Sequence, residues 1–566
     1  MTTSRLYVRR FGLIVALASL SATAPAGQSD RPLASKSPID PDRLTAHVKT
    51  LASDEFEGRA PATAGEAKTL DYLIRELVAA GVQPGGERDA QGSRRWTQDV
   101  PLSQSEIQGA VTAIIMSGKG TRLLQHGEHV AFRATHLPTD GVSIKDAPLV
   151  FVGYGIHAPD RQWDDFKGVD LRGKIGVVLV NDPDFEVDLG GRFGGKAMTY
   201  YGRWTYKFEE AARRGALGML VVHETAPAAY GWDTVKNSSI TAMFDIVRSN
   251  PADVHPLLEG WMQREVAVDL FRRAGTDFET EKLKAQTAQF TPVVLAGTTL
   301  SVEYRVKQTR VVSKNVVGLL AGTTDPDETV IYSAHWDHLG VGEPDATGDR
   351  IYNGARDNAL GVAGLLEIAR VYAAAPRTRR SVVLLSVTAE EKGLLGSEYY
   401  AAHPLYPPAL TAAVYNMDGG SVVGPTWDIA IAGEGKISLE EDLASAARLD
   451  GRRFSPDPRP EAGSFFRSDH FSFAKAGVPA ISFRVGLDLV EGGIAAGKAA
   501  ADEHIAKRYH QPSDEWLPSW NLRGAVMDFG LLYSVGRDLA NSDKWPEWRQ
   551  GSEFKATRDA TQSSRK

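Results

Sequence analysis

The chain has 566 residues, room for two or three domains, and its 42% hydrophobic and 24% charged residues are ordinary for a globular protein. A formal charge of -7, with no basic cluster interleaved with aromatics, argues against nucleic acid as a partner. There is no cysteine, which excludes disulfides, thiol catalysis and thiolate metal sites, so stability has to come from a large buried core.

In chain order, Arg5, Arg9 and Arg10 precede an apolar run from Phe11 to Ala22, and "APA" at 24–26 supplies a small-x-small cleavage signature. The run has 12 residues; a bilayer takes ~20. This is the pattern of a secretory signal peptide over 1–26. It predicts an exported protein, periplasmic or secreted. No other apolar stretch approaches about 18 residues, so no stable membrane insertion is expected after signal removal.

Residues 41–82 read as helices, with Leu70, Tyr72, Leu73, Leu77 and Val78 at helical spacing and Gly81 closing the second. Short alternating runs follow over 96–136. From 138 to 295 the texture changes. "APLVFVGYGI" and "GKIGVVLVND" read as strands, and 205–224 as helix, closing Gly215 and strand. This block carries none of the site motifs found downstream and is expected to be a module, 138–295, inserted between 27–137 and 296–566 of a larger domain. Its "GGRFGGKA" (190–197) matches most of a phosphate-binding loop. However, Ala197 stands where Ser or Thr would hold magnesium and the preceding "FEVDL" is a poor strand, so it reads as a Gly-rich surface loop. From 300 onward apolar strands (315–320, 329–334, 381–387, 412–416, 479–483) alternate with helices (360–374, 524–541). That is the order of an α/β protein, a central sheet flanked by helices. The polar end of the chain is expected to fray.

Ligands of open α/β sheets bind beyond the carboxyl ends of the strands. After "TVIYSA" come His335, Asp337 and His338; after "SVVLLSV" come Glu390 and Glu391; after "AAVYN" comes Asp418. Asp357 stands just ahead of the helix at 360, and "RYHQPSDEW" offers His510. Several strand ends thus deliver carboxylates and imidazoles, and a buried group of carboxylates does not stay ionised without cations. Oxygen and imidazole donors without thiolates suit zinc or a similar divalent ion.

The motifs "SAHWDHLG", "GARDNALG", "AEEKGLLGSE", "NMD" and "YHQPSDE", in this order, resemble metallopeptidase family twenty-eight, which includes dizinc aminopeptidases. The resemblance covers most of the chain after the signal. It implies a zinc-exopeptidase fold, a central mixed, mostly parallel sheet, with 138–295 as a smaller β-rich protease-associated domain. It implies two zinc ions, with cobalt or manganese as alternatives. His335 and Asp418 would hold one, Glu391 and His510 the other, and Asp357 both. Glu390 resembles the general base. Asp337 would take the other ring N–H of His335, while His338, on the opposite strand parity, would be structural. The Asp357–Asn358 peptide would be cis. Arg356 departs from the family, where an acidic residue often precedes the bridging Asp. Arg356, Arg467, Asp469 and His470 are expected near the substrate. The implied function is removal of N-terminal residues from peptides, with no oligomeric state indicated. A carboxypeptidase or dipeptidase, using Arg356, Arg467 or Arg484 for the substrate carboxylate, is the alternative enzyme. A non-catalytic binding ectodomain of the same fold is the alternative of another class.

Overall fold

The structure is a computed structural model that describes Met1 and residues 37–565. Beyond Met1, the signal peptide expected at 1–26 lies outside the described residues.

The centre of the fold is a parallel set of strands. Asp325–His335 pairs in parallel with Arg380–Val387 on one side and Thr411–Asn416 on the other, and Thr411–Asn416 pairs in parallel with Ala480–Val485. Asp428–Ile431 adds antiparallel to Ala480–Val485, and Arg453–Phe454 forms the edge beyond it. Arg380–Val387 and Thr411–Asn416 are buried along their whole length. Alternation sorts the two faces. Val330, Tyr332, Ala334, Val382 and Leu384 pack with the helices Pro41–Leu51, Ala64–Ala80, Leu360–Ala374 and Arg523–Ala540. Ile331, Val383, Leu385 and Val387 point the other way, towards Tyr400 and Phe473. A sheet covered on both faces explains why these strands read as continuous apolar runs.

The helix starts and stops are local. The Asp40 carboxylate accepts from the Asp42 and Arg43 N–H groups, with Pro41 at the first turn. Gly81, at φ 85, closes Ala64–Ala80. Val78, counted on the apolar face from spacing, is exposed; it lies at the outer edge of that stripe.

Two strands are far longer than their local patterns suggest. Thr97–Ser117 and Val293–Leu320 run antiparallel from the pair Val316/Thr97 to Thr298/Ser117. At the far end of this ribbon, Val293–Leu320 receives Gly141–Phe151, followed in parallel by Ile175–Leu179, Gly218–His223 and Leu258–Gln263. These strands build a second lobe with its own core, drawn from residues as early as Ala113 and as late as Val306. That core begins before the change of texture at 138, because Val130–Phe132 pairs with Leu258–Gln263.

The polar end of the chain also docks, contrary to expectation. In the helix Lys555–Asp559, Arg558 is buried and donates to the carbonyls of Thr411 and Pro408.

Candidate metal centre and cleft

Each candidate donor sits where a strand or helix of the central sheet ends. His335 is the last residue of Asp325–His335. Asp418 follows Thr411–Asn416 by two residues. Asp357 precedes the helix Leu360–Ala374, and its peptide bond to Asn358 is cis. Glu390 and Glu391 follow Arg380–Val387 through Ala389, which holds φ 52. His510 itself holds φ 57. Non-glycine residues in this left-handed region are uncommon and concentrate at functional sites.

The donors converge as two sets that share Asp357. His335 Nε2 lies 3.3 Å from Asp357 Oδ1 and 3.5 Å from Asp418 Oδ1. His510 Nε2 lies 3.4 Å from Asp357 Oδ2 and 3.0 Å from Glu391 Oε2. The two oxygens of one carboxylate therefore face two different imidazoles. Donors ~2.0–2.1 Å from a tetrahedral ion stand ~3.3 Å from one another, so these spacings fit a divalent ion in each set. Three groupings bring donor atoms within 4.8 Å of one another: His335, Asp357 and Asp418; His335, Glu390 and Glu391; and His338, Asp357 and Glu391, the last with His338 rather than His510 beside Glu391.

The electrostatics point the same way. Burial, reinforced by Glu391, Asp418 and Asp469 and opposed by His335, pushes the Glu390 carboxyl well above its ordinary range. Burial likewise carries Asp337 and Asp469 up to about 7. Burial lowers the His335 and His510 imidazoles, but the carboxylates around them outweigh it, and His510 rises to about 9. The buried acids outnumber the cations among them, a balance that a divalent ion corrects.

Main-chain hydrogen bonds fix the loops. Asp337 was expected to accept the His335 ring N–H. Its carboxylate instead takes the Glu390 N–H at 3.0 Å and the Glu391 N–H at 3.4 Å. It lies 3.8 Å from His335 Nδ1, whose partner at 3.2 Å is the Asp337 carbonyl. The strand ends at His335, so strand parity does not carry to Asp337 or His338. For the same reason His338 turns inward: it is fully buried, with Nδ1 2.5 Å from Glu391 Oε1.

Five other residues were not assigned a role by sequence reasoning. Asp514 accepts the N–H groups of Arg356 and Asp357, tying that loop to the segment of His510. Asn358 accepts from Gly361 and Gly419 and donates to the Met417 carbonyl, which ties the Asp357 loop to the Asp418 loop. Buried Arg59 donates to the carbonyls of Trp336, Asn353 and Gly354. From the second lobe, Ser238 Oγ lies 2.9 Å from His510 Nδ1, and Asn237 donates to the His510 carbonyl. "SDE" lay inside the motif "YHQPSDE", a signal for Asp514. Nothing in the sequence marked Ser238. Gly354 is required by close approach: a Cβ there would stand 2.2 Å from the Asp357 carbonyl and 2.5 Å from the His338 ring.

A cleft of about 550 Å³ opens over this centre, lined from one side by Glu390, Glu391, Asp357 and Asp418 and from the other by Arg203, Tyr230 and Ser238. Arg356 and Arg467 line it, as expected. Asp469 and His470 do not: both are fully buried, because the short helix His470–Lys475 turns its first residue towards the core, against Phe465.

Residues 315–531 match the model of Peptidase family M28. The chain is 27% identical over 199 residues to a "Probable zinc metalloprotease" of Leptosphaeria maculans, a match covering 30% of this chain and 46% of that protein. It is 26% identical over 211 residues to aminopeptidase YwaD of Bacillus subtilis, covering 36% and 39%. The chain thus spans less than half the length of these curated relatives. Among solved structures, the aminopeptidase from Aneurinibacillus sp. strain AM-1 superposes with a TM-score of 0.52 at 18% identity, over 89% of this chain and 94% of that one, which shows a shared fold. Over residues 315–531, the chain is thus similar to peptidase family M28.

Proposed function

We propose that the protein is an exported, zinc-dependent exopeptidase that removes N-terminal residues from peptides at a two-metal site. The observation that carries this reading is Asp357, whose two carboxylate oxygens face His335 and His510 separately, each imidazole having a further carboxylate of its own. His335 and Asp418 would hold one zinc, Glu391 and His510 the other, and Asp357 both; cobalt or manganese would suit the same donors. When bound, the ions polarise a scissile carbonyl and make water more acidic.

The chain's own groups do the rest. Glu390 lines the cleft beside the donors, where its carboxylate takes a proton from the attacking water and delivers it to the leaving amine. A positioned acid–base group of this kind is worth ~10²–10⁴ in rate. Asp337 holds the Glu390–Glu391 turn through its two main-chain N–H groups. Ser238 fixes the ring of His510 from the second lobe, so that lobe serves as a wall of the cleft; a protease-associated domain spanning 138–295 is our reading of it.

The test pairs metal analysis with substrate choice. Purified protein is expected to hold zinc, to lose activity with a chelator, and to cleave amino-acid anilides but not N-acetylated peptides. Cleavage of only the blocked peptides would establish a carboxypeptidase instead. Absence of both zinc binding and hydrolysis would establish a binding ectodomain.

A further inference from the structure

The cleft wall carries a string of arginines that the reaction above does not use. Arg203, Arg467, Arg484 and Arg356 all line the cleft. Among the described residues, none of the four forms an ion pair with a carboxylate. Arg467 is held by neutral partners, donating to the Tyr509 hydroxyl at 2.9 Å and the Ala462 carbonyl at 3.3 Å and stacking over Tyr230 of the second lobe. Arg203, also from the second lobe, is only 7% exposed and its Nε has no hydrogen-bond partner. Burial lowers the Arg203 guanidinium to about 10, and the charge of Arg467 adds to that.

Most acids of the same cleft outside the metal set are already engaged; Glu503 lies 4.0 Å from Arg508, and Asp457 has no ion pair but accepts the Arg459 N–H. Glu398 pairs with Arg248 at 3.1 Å, and Glu209 with Arg213 at 3.6 Å and the Tyr200 hydroxyl. Asp357, Asp418, Glu390 and Glu391 belong to the metal centre. Once divalent ions balance those carboxylates, Arg356 still faces the Asp514 carboxylate, while Arg203, Arg467 and Arg484 remain as partly desolvated positive charge without an ion-pair partner, which is costly unless an anion arrives. Guanidinium forks match a carboxylate bidentately.

We propose that the cleft selects anionic peptides, binding a substrate carboxylate close to the scissile bond with Arg203, Arg467, Arg484 and Arg356. This rests on the exopeptidase reading and names its substrate class: short peptides whose free C-terminus or acidic side chain lies one or two residues beyond the bond cut.

The test compares Leu-Glu, Leu-Gln, the C-terminal amide of Leu-Gln and N-acetyl-Leu-Glu with the zinc-loaded full chain. The expected order in kcat/KM is Leu-Glu above Leu-Gln above the amide, with ~10-fold or more between first and last, as for a charge-assisted pair. R203Q and R484Q are each expected to shrink that ratio towards one. Equal cleavage of Leu-Glu and the amide by the wild-type protein overturns the proposal, whatever the variants do. Cleavage of N-acetyl-Leu-Glu, with the acid still preferred over its amide, sinks the aminopeptidase reading while leaving the arginine site standing. No cleavage of any of the four overturns both.

Discussion

The floor of the cleft and its wall are built by different rules. On the floor, the donors follow sheet strands or precede a helix, except His510, which sits in the turn after the helix Gly493–Lys507, and the supports are main-chain bonds made by Asp337, Asn358 and Asp514. The wall comes from the second lobe, and it meets the floor side chain by side chain. Ser238 reaches His510, Thr241 accepts from Lys392, and Arg248 pairs with Glu398. The floor is rich in carboxylates, and the cleft arginines come from both parts: Arg203 from the second lobe, and Arg356, Arg467 and Arg484 from the sheet domain. A site assembled this way separates chemistry from selection: changes to the floor should abolish turnover, and changes to the wall should tune it.

The largest expected effect lies at the shared ligand. Asp357→Ala removes a donor from both sets at once and should lose zinc from both, with activity down by ~10⁴ or more, beyond what loss of a general base alone gives. Retention of full zinc in D357A would break the idea of a shared ligand. Glu390→Gln should keep its zinc and its fold yet lose ~10²–10⁴ in turnover; metal analysis beside single-substrate kinetics separates these outcomes. Ser238→Ala sharpens the comparison, since it touches the metal centre only through His510. It should cost ~10–100-fold in zinc affinity or activity, read by competition with a chelator, and Ser238→Thr should restore most of it.

The smallest effect belongs to the base of the wall. His255 lies 2.7 Å from Glu259 and 3.2 Å from Asp245, with the tilted ring of His136 at 4.5 Å, Arg133 paired to Glu259 and Arg248 to Asp245. Burial lowers this imidazole, but Glu259 and Asp245 outweigh it and lift it to about 9. A group raised on folding stabilises fully below its unfolded value, ~6.5, and that stability is lost as pH rises through the folded value. Melting temperature should therefore decline by about 2 °C or more between pH 7 and pH 10. His255→Gln should flatten the decline, as followed by circular dichroism.

The same contrast explains what could be seen from the sequence. The strands of the central sheet were legible because both faces are covered, which leaves continuous apolar runs ending in polar motifs. Three of the donor motifs were legible at strand ends, and those of Asp357 and His510 beside helices. The ribbon of Thr97–Ser117 and Val293–Leu320 was not, since its burial alternates irregularly along an exposed face. Asp337 and His338 were misjudged because the strand stops at His335 and its parity stops with it. Ser238 and Arg203 were invisible for a deeper reason: their partners His510 and Arg467 lie more than 250 residues away, and only the placement of the second lobe brings them together. The adjacent Glu390 and Glu391 are resolved by the turn that carries them. Asp337 grips both N–H groups, which leaves one side chain on the cleft and the other against His338 and His510.

The most direct test is the number of zinc ions retained per chain after dialysis, measured by elemental mass spectrometry on wild-type and D357A protein. Two per wild-type chain, with both lost in D357A, is the expected result. One or none in the wild type, or two retained in D357A, would contradict a centre shared through Asp357.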